Sequence, residues 1–308
     1  MFASIIVPSY QRAKYLSDCL ASILNQQTCN DLDYEVLVVI RRGDKDTELV
    51  VSQFLNQRLV PVYVNHPGVL EAMKVGVSAS KGDIVLFIDD DAEAPSNWIS
   101  AHCSYYINDT DSIACVAGRD ILDAQIPIQR FSFGRVGIVT GYGRLIGDHC
   151  QAGKARQEID VPKGVNMSVR RRFIELPNQL SGSGAQIHWE VYLGLALTSR
   201  GKKVIYDPNV IVHHHSAPRP VGDDRKDLSL EAVFDAAYNF SYAFAKFRPW
   251  NQCFPAVVYW SLCGDAAAPG VLRCITRWGL KQSWVCWYIA MKGRFLGLIN
   301  GRRENVHA

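Results

Sequence analysis

Several quick indicators of class are missing from this chain. None of its nine cysteines (Cys19, Cys29, Cys103, Cys115, Cys150, Cys253, Cys263, Cys274, Cys286) forms a Cys-x-x-Cys pair, and their number is odd. That disfavours a disulfide framework or a zinc site, and reduced thiols in a cytosol are expected. No apolar run reaches the ~20 residues that span a bilayer. A net charge of +3 is too small to argue for nucleic acid. There is no internal repeat and no low-complexity tract, and no basic leader precedes Ser4-Ile5-Ile6-Val7-Pro8, so no secretory signal is expected. What is present is an ordinary globular composition, 308 residues with 48% hydrophobic and 20% charged. That is enough chain for one large or two smaller domains with a buried core.

Apolar stretches alternate with helical periodicity. Strands are expected at 4–7, 34–40, 59–64, 84–88 and 112–117, with helices at 15–26, 47–56, 69–79 and 97–107 between them. This β-α-β alternation implies a parallel sheet with right-handed crossovers. From Gly118 to Asp160 the alternation gives way to a segment with seven glycines, expected to be loop-rich with short antiparallel strands. A strand passing into a helix is expected at 164–171 and a helix at 189–199, ended by Gly201. Two short strands, 204–206 and 210–212, flank Asp207-Pro208 and lead into His213-His214-His215. A long helix follows over 228–246.

The stretch Gly82-Asp83-Ile84-Val85-Leu86-Phe87-Ile88-Asp89-Asp90-Asp91 carries the strongest chemical signal. Five apolar residues form a buried strand, and three aspartates stand where it leaves the sheet. In extended backbone Asp89 and Asp91 share a side, so both carboxylates reach one point, where a divalent cation would relieve their repulsion. Asp90 faces the other way and is expected to contact ribose or backbone. A turn or helix cap is the plainer alternative for such a run.

Other candidates lie at the same carboxyl edge, where open α/β sheets bind ligands. Pro8, Ser9, Tyr10 and Arg12 follow the first strand; Tyr10 can frame a base and Arg12 can meet a phosphate. Asp44 and Asp46 follow the second strand, as base or ribose acceptors or as a helix cap. Glu190, after the loop Ser181-Gly182-Ser183-Gly184, is a candidate base for a hydroxyl proton, with His188 and Trp189 able to shape an acceptor pocket. One of the three histidines at 213–215 can add a metal ligand. Asn166 and Arg170, Arg171 and Arg172 can read acceptor or phosphate oxygens, or are merely charged and polar groups facing solvent.

Taken in order over residues 4 to about 215, these pieces resemble the family 2 glycosyltransferases, inverting enzymes of the GT-A fold. The matching motifs are Val7-Pro8-Ser9-Tyr10-x-Arg12, Gly68 before the third helix, the Gly82–Asp91 stretch, Gly164-x-Asn166-Met167-Ser168-x-Arg170-Arg171, Trp189-Glu190, and Gly201-x-x-Val204-x-Tyr206-Asp207-Pro208 with its histidines. The resemblance implies an α/β, Rossmann-like GT-A domain with a mostly parallel central sheet and flanking helices. It implies a nucleotide-diphosphate sugar bound by Pro8, Ser9, Tyr10, Arg12, Asp44, Lys74, Asp89 and Asp90, and an acceptor glycan or lipid-linked sugar bound by Asn166, His188 and Trp189. It implies Mn²⁺ or Mg²⁺ on Asp91, Asp89 and His214 (His213 as alternative), and Glu190 as general base. Three departures are visible. Arg41-Arg42 occupy the place of an acidic pair, Ala72-Met73-Lys74 replaces Ala-Arg-Asn, and Trp189-Glu190 replaces a Glu-Asp pair.

The expected organisation is a GT-A domain at 1–220, with a nucleotide-sugar half 1–117 and an acceptor half 118–220. A helical, basic and aromatic C-terminal extension follows at 221–308. From Cys253 the tail holds four of the seven tryptophans and, from Val271, seven Lys/Arg against the single acid Glu304. Tryptophan with Lys/Arg suits a membrane interface, and a packed subdomain or dimer surface fits as well. A cytoplasmic protein is expected, free in the cytosol or peripheral at the inner face of the membrane. A nucleotidyltransferase would carry a glycine-rich phosphate loop where this chain has Pro8-Ser9-Tyr10-Gln11-Arg12. An Asp-x-Asp phosphatase and a non-catalytic sugar-nucleotide scaffold remain as alternatives.

Overall fold

The computed structural model describes residues 1–28, 31–54, 56–109, 111–123, 134–151, 154–178, 180–182, 184, 186–215, 217, 229–265, 267–277 and 281–303. The expected boundary after Pro220 and the segment 124–133 lie outside these residues. The first half alternates as its periodicity demands: β1 (Phe2–Ser9), α1 (Ala13–Leu24), β2 (Asp33–Arg41), α2 (Lys45–Gln53), β3 (Leu59–Val64), α3 (Val69–Ala79), β4 (Ile84–Phe87). After β5 (Ala92–Glu93) come α4 (Trp98–Ile107) and β6 (Ile113–Leu122). The glycine-rich segment holds the small antiparallel pair β7 (Ile138–Val139) and β8 (Leu145–Ile146), then β9 (Gln157–Ile159).

One nine-stranded sheet organises the chain, in the order β3-β2-β1-β4-β10-β6-β11-β5, where β10 is Met167–Arg170 and β11 is Lys203–His214; β9 pairs with β11 off this path. β1 to β4 are parallel neighbours, as the alternation requires. The sheet is mixed beyond them. β10 inserts antiparallel between β4 and β6, and the expected helix after it is a single 3₁₀ turn, Arg171–Phe173. The two strands expected around Asp207-Pro208 are one strand, irregular in register between Asp207 and Ile211. A proline within a sheet is confined to such an irregularity or to an edge, because it has no N–H to give.

The continuous apolar strands are explained by cover on both faces. Ala3, Ile5, Val7, Val36, Val38, Ile84, Leu86 and Ile88 pack with Leu16, Leu20 and Ile23 of α1 and Trp98 and Ile99 of α4. The alternate residues Ile6, Val39, Val85 and Phe87 pack with Leu70 and Met73 of α3 and with α5 (Trp189–Ser199) on the other face. That second core extends through α6 (Leu230–Phe247) and α7 (Trp250–Leu262), by Phe240, Phe244, Ala256 and Trp260. The C-terminal helices therefore share a core with the sheet.

The chain ends with α8 (Val271–Arg277) and α9 (Lys281–Arg303). α9 lies on α6 through Gly293, Gly297 and Gly301, which face Phe234, Tyr238 and Tyr242. Spacing by four puts all three glycines on one stripe, so the two backbones approach without side chains between them. Among the described residues no helix is long and apolar enough to cross a membrane.

Candidate functional site

The strand order turns at β1: β2 and β3 lie to one side of it and β4 to the other. Such a switch point leaves a crevice outside the carboxyl ends of the strands. β1 pairs with β4 only over Ala3–Ile6, so Pro8 sits beyond that ladder and its missing N–H breaks no bond there. Ser9–Arg12 and Asp89–Asp91 flank this crevice.

Asp90 is buried at 3% exposure and turned toward the first loop. Its carboxylate accepts from the Ser9 hydroxyl at 2.8 Å and from Arg12 Nη1 at 3.0 Å. Arg12 also reaches Asp91 Oδ2 at 3.3 Å. Burial pushes the Asp90 carboxyl up to about 7, against the pull of Arg12 and Ser9. Thus the residue expected to meet ribose or backbone meets two protein side chains instead.

Asp91 is also buried, and its Oδ2 accepts the backbone N–H of Ala217 at 2.9 Å. Its Oδ1 has no hydrogen-bond partner among the described residues. His214 Nε2 lies 3.3 Å from that oxygen. β11 delivers His214 by pairing antiparallel with β5, immediately after the aspartates, in the register His214–Ala92. Asp89, half-buried, completes the cluster: one ligand atom from each of Asp89, Asp91 and His214 lies within 4.8 Å of the others. Two carboxylate oxygens and an imidazole suit a divalent cation such as Mn²⁺, and the orphaned Asp91 Oδ1 is what an ion would satisfy.

A cation entering here would displace the proton that the neighbouring carboxylates hold on His214. Burial, and then the Asp91 charge, holds the Asp89 carboxyl above its usual range. Burial would raise Asp91 too, but His214 and Arg12 hold it low. Burial opposes protonation of His214, yet Asp120 and Asp91 carry it up to about 9. Of the three histidines, His213 is exposed and His215 bridges Glu93 and Asp123 at 2.6 and 2.8 Å.

Other expected residues are spread around this centre. Asp44 is buried and caps α2, accepting from Thr47 N and Oγ1, and it also takes the Gln11 N–H at 2.6 Å. It thereby holds the loop in which Gln11 adopts φ +55°. Tyr10 is half-buried with the Arg41 guanidinium stacked 4.8 Å above its ring. Lys74 Nζ donates to the Asn178 carbonyl at 2.7 Å.

Glu190 is half-buried in the first turn of α5. A Cβ at Gly164 would stand 3.2 Å from its Oε1 and 2.7 Å from Trp189 Cζ2, so the chain at 164 runs directly beneath this acid. Trp189 is a core residue, edge-on to Phe87 at 5.9 Å. His188 takes a left-handed conformation, φ +75°, with its ring on Phe240.

Asn166, expected on the acceptor side, is fully buried. Its Oδ1 accepts from Trp98 Nε1 and lies 3.0 Å from His102 Nε2, and its Nδ2 donates to Arg119 O and Val210 O. That uses the hydrogen-bonding capacity of the amide within the protein, so it ties β10, β6, β11 and α4 together. Arg170 likewise pairs with Asp109 at 3.2 Å.

Sequence reasoning missed Asp120 and Lys163. Asp120 is fully buried near the end of β6, its Oδ2 3.5 Å from His214 Nδ1, and it is ion-paired with Lys163. An aspartate closing an apolar strand at the same sheet edge was the available signal.

Comparisons place this geometry among known proteins. The family described as Glycosyl transferase family 2 matches residues 4–168. Glycosyltransferase AglE of Haloferax volcanii is 26% identical over 225 residues, 70% of this chain and 68% of that protein. The glucosyl-dolichyl phosphate glucuronosyltransferase of the same organism is 26% identical over 226 residues, 70% and 69%. Chondroitin synthase of Escherichia coli matches over 51% of this chain and 23% of its own length, at 26% identity. Among solved structures, the mannosyltransferase PcManGT from Pyrobaculum calidifontis, with GDP-Man and Mn²⁺, superposes with a TM-score of 0.57 at 16% identity, covering 99% of this chain and 86% of that one. TarS 1–349 of S. aureus, with UDP-GlcNAc, gives 0.64 at 11%, covering 100% and 92%. The fold is GT-A, and the chain belongs to glycosyl transferase family 2 as a glycosyltransferase.

Proposed function

We propose that this chain moves a sugar from a nucleoside-diphosphate donor to an acceptor hydroxyl, with inversion at the anomeric carbon and dependence on Mn²⁺ or Mg²⁺. The observation that carries the reading is the convergence of Asp89, Asp91 and His214 at the crevice, with Asp91 Oδ1 buried and unsatisfied. A cation held there would supply positive charge for the departing diphosphate. PcManGT with GDP-Man and Mn²⁺ and TarS with UDP-GlcNAc support donors of this kind.

The protein groups take these roles in the proposed reaction. Tyr10, with Arg41 on its outer face, frames the nucleobase. Ser9, Arg12, Asp44 and Asp90 hold the loop and the aspartates in place, with Arg12 adding positive charge beside the phosphates. Pro8 and Lys74 complete the set assigned to the donor. Glu190 takes the proton of the attacking hydroxyl; a base must reach that proton within hydrogen-bond distance, and the first turn of α5 sets the acid beside Gly164. His188 and Trp189 fix that turn, and Asn166 braces the strand behind it.

The acceptor is a glycan or lipid-linked sugar at a membrane surface. α7 exposes Trp250, Phe254, Val258 and Leu262 at spacings of four, and α9 exposes Trp284, Tyr288 and Phe295 with Lys292 between them. Both stripes are aromatic and carry no acid, which suits the interface of an anionic bilayer. Co-sedimentation with anionic vesicles that fails for Trp250→Ser with Phe254→Ser supports this contact; binding unchanged by those substitutions refutes it.

A thermal-shift panel of nucleotide sugars, each with and without Mn²⁺, tests the central reading. One donor that stabilises the protein only with metal supports it. A flat panel overturns it.

A further inference from the structure

The ion pair Asp120–Lys163 has no part in the roles above, and its position gives it one. Asp120 is fully buried near the end of β6, and its Oδ2 is engaged by Lys163 Nζ. Its Oδ1 has no hydrogen-bond partner among the described residues, and neither does His214 Nδ1. The two side chains face each other with Asp120 Oδ2 3.5 Å from His214 Nδ1, just beyond a formed hydrogen bond. On the other side of the ring, Nε2 faces Asp91 Oδ1. The imidazole therefore stands between a ligand aspartate and a second aspartate anchored from behind.

A ligating histidine must present one bare nitrogen, and it keeps its proton on the other, where an acceptor fixes tautomer and ring orientation. We propose that Asp120, anchored by Lys163, is the positioning residue of His214, accepting Nδ1–H so that Nε2 is presented to the cation. Lys163 lies next to Gly164, whose backbone runs beneath Glu190. The segment 163–164 thus braces the histidine with its lysine and passes under the acid with its glycine. Lys163 is one-third exposed whereas Asp120 is fully buried, so loss of the lysine leaves the carboxylate without its counter-ion. Removing it frees Asp120 to shift away from His214.

This inference rests on the metal reading, and its test separates the two. Mn²⁺ affinity is measured by electron paramagnetic resonance titration of the full chain, without donor or acceptor, so that turnover plays no part. Wild type is compared with Asp91→Asn, Asp120→Ala, Asp120→Asn and Lys163→Met, each checked for folding by circular dichroism. Loss of an outer partner of a ligating histidine costs about 10–100-fold in metal affinity. Asp120→Ala is expected to show a loss of that order. Asp120→Asn retains an amide oxygen able to accept Nδ1–H and is expected to recover most of the affinity, which a merely structural role would not produce. Lys163→Met is expected to fall between them. If Asp120→Ala fails to fold, Asp120→Asn and Lys163→Met decide: wild-type affinity in Lys163→Met overturns the role of the pair. Wild-type binding with unchanged affinity in Asp120→Ala overturns this inference alone. A wild-type chain that takes up no Mn²⁺ overturns the metal reading and this inference with it.

Discussion

Gly297→Ala sets two effects of known size against each other. Alanine is the better helix former by about 1 kcal/mol in a helix interior. On an isolated α9 the substitution would stabilise. In the folded protein a Cβ at this position would stand 2.4 Å from the Tyr238 carbonyl oxygen, 2.2 Å from Ser241 Oγ and 2.9 Å from Tyr242 N. Ordinary contact begins about 1 Å further out. Two of the three atoms are backbone of α6, so α9 itself must retreat. That retreat also loosens Gly293 and Gly301, whose own approaches are 2.7 and 2.3 Å. Overpacking of this kind costs about 1–3 kcal/mol. Set against the propensity gain, it leaves a net loss of up to about 2 kcal/mol, or a Tm drop of a few degrees. Gly147→Ala is the control, because nothing stands within 4 Å of a Cβ there; it should change stability by less than about 0.5 kcal/mol. α6 also carries Asn239, which clamps the loop before Glu190 through Ser181 and Ile187, so transfer should slow as well. Thermal unfolding by circular dichroism reads the result. A Gly297→Ala protein that melts above wild type would refute the close approach of the two helices.

The remaining predictions concern the site and its supports. Asp91→Ala should abolish both Mn²⁺ binding and transfer, and retained binding would remove it from the ligand set. Glu190→Gln should abolish transfer with donor affinity largely kept; full activity would sink its assignment as base. Asn166→Ala should lower stability by about 2–4 kcal/mol, since it leaves the groups of Trp98, His102, Arg119 and Val210 without partners; a normal urea midpoint with only a raised acceptor KM would return it to the acceptor site. Burial pushes His102 and His149 down to about 4. Their folded values lie below that of an unfolded histidine near 6.5, so the stability they contribute is complete above about pH 6.5 and is lost as pH falls toward 4. Each loses about 1.4 kcal/mol per pH unit across that window, so a urea midpoint equal at pH 7 and pH 5 would contradict their neutral burial.

Much of the fold was legible because strand and helix periodicities are local. The four leading strands, their helices and the three aspartates at a strand end follow from residues within about ten positions of each other. Periodicity cannot say which strand lies beside which. β10 reads as one more short strand, yet it enters antiparallel between β4 and β6 and brings Lys163 and Gly164 to the site. Burial reassigns several polar residues. Asn166 and Asp90 look like surface ligands by type, but in place their hydrogen bonds are taken up by protein groups. The glycine stripe of α9 carries no meaning until α6 lies against it.

The sequence alone therefore determined the layer architecture, the carboxyl edge as the candidate edge, and Asp89, Asp91 and one of the histidines at 213–215 as candidates for one cation, because backbone alternation and residue chemistry are short-range properties. Only the tertiary structure decided that His214 and not His213 faces Asp91, that Asp120 and Lys163 stand behind it, and that the C-terminal helices share the core. Those facts depend on contacts between residues far apart in the chain, such as Asp91 with His214 and Asp120 with Lys163, which only the packing of the whole sheet brings together.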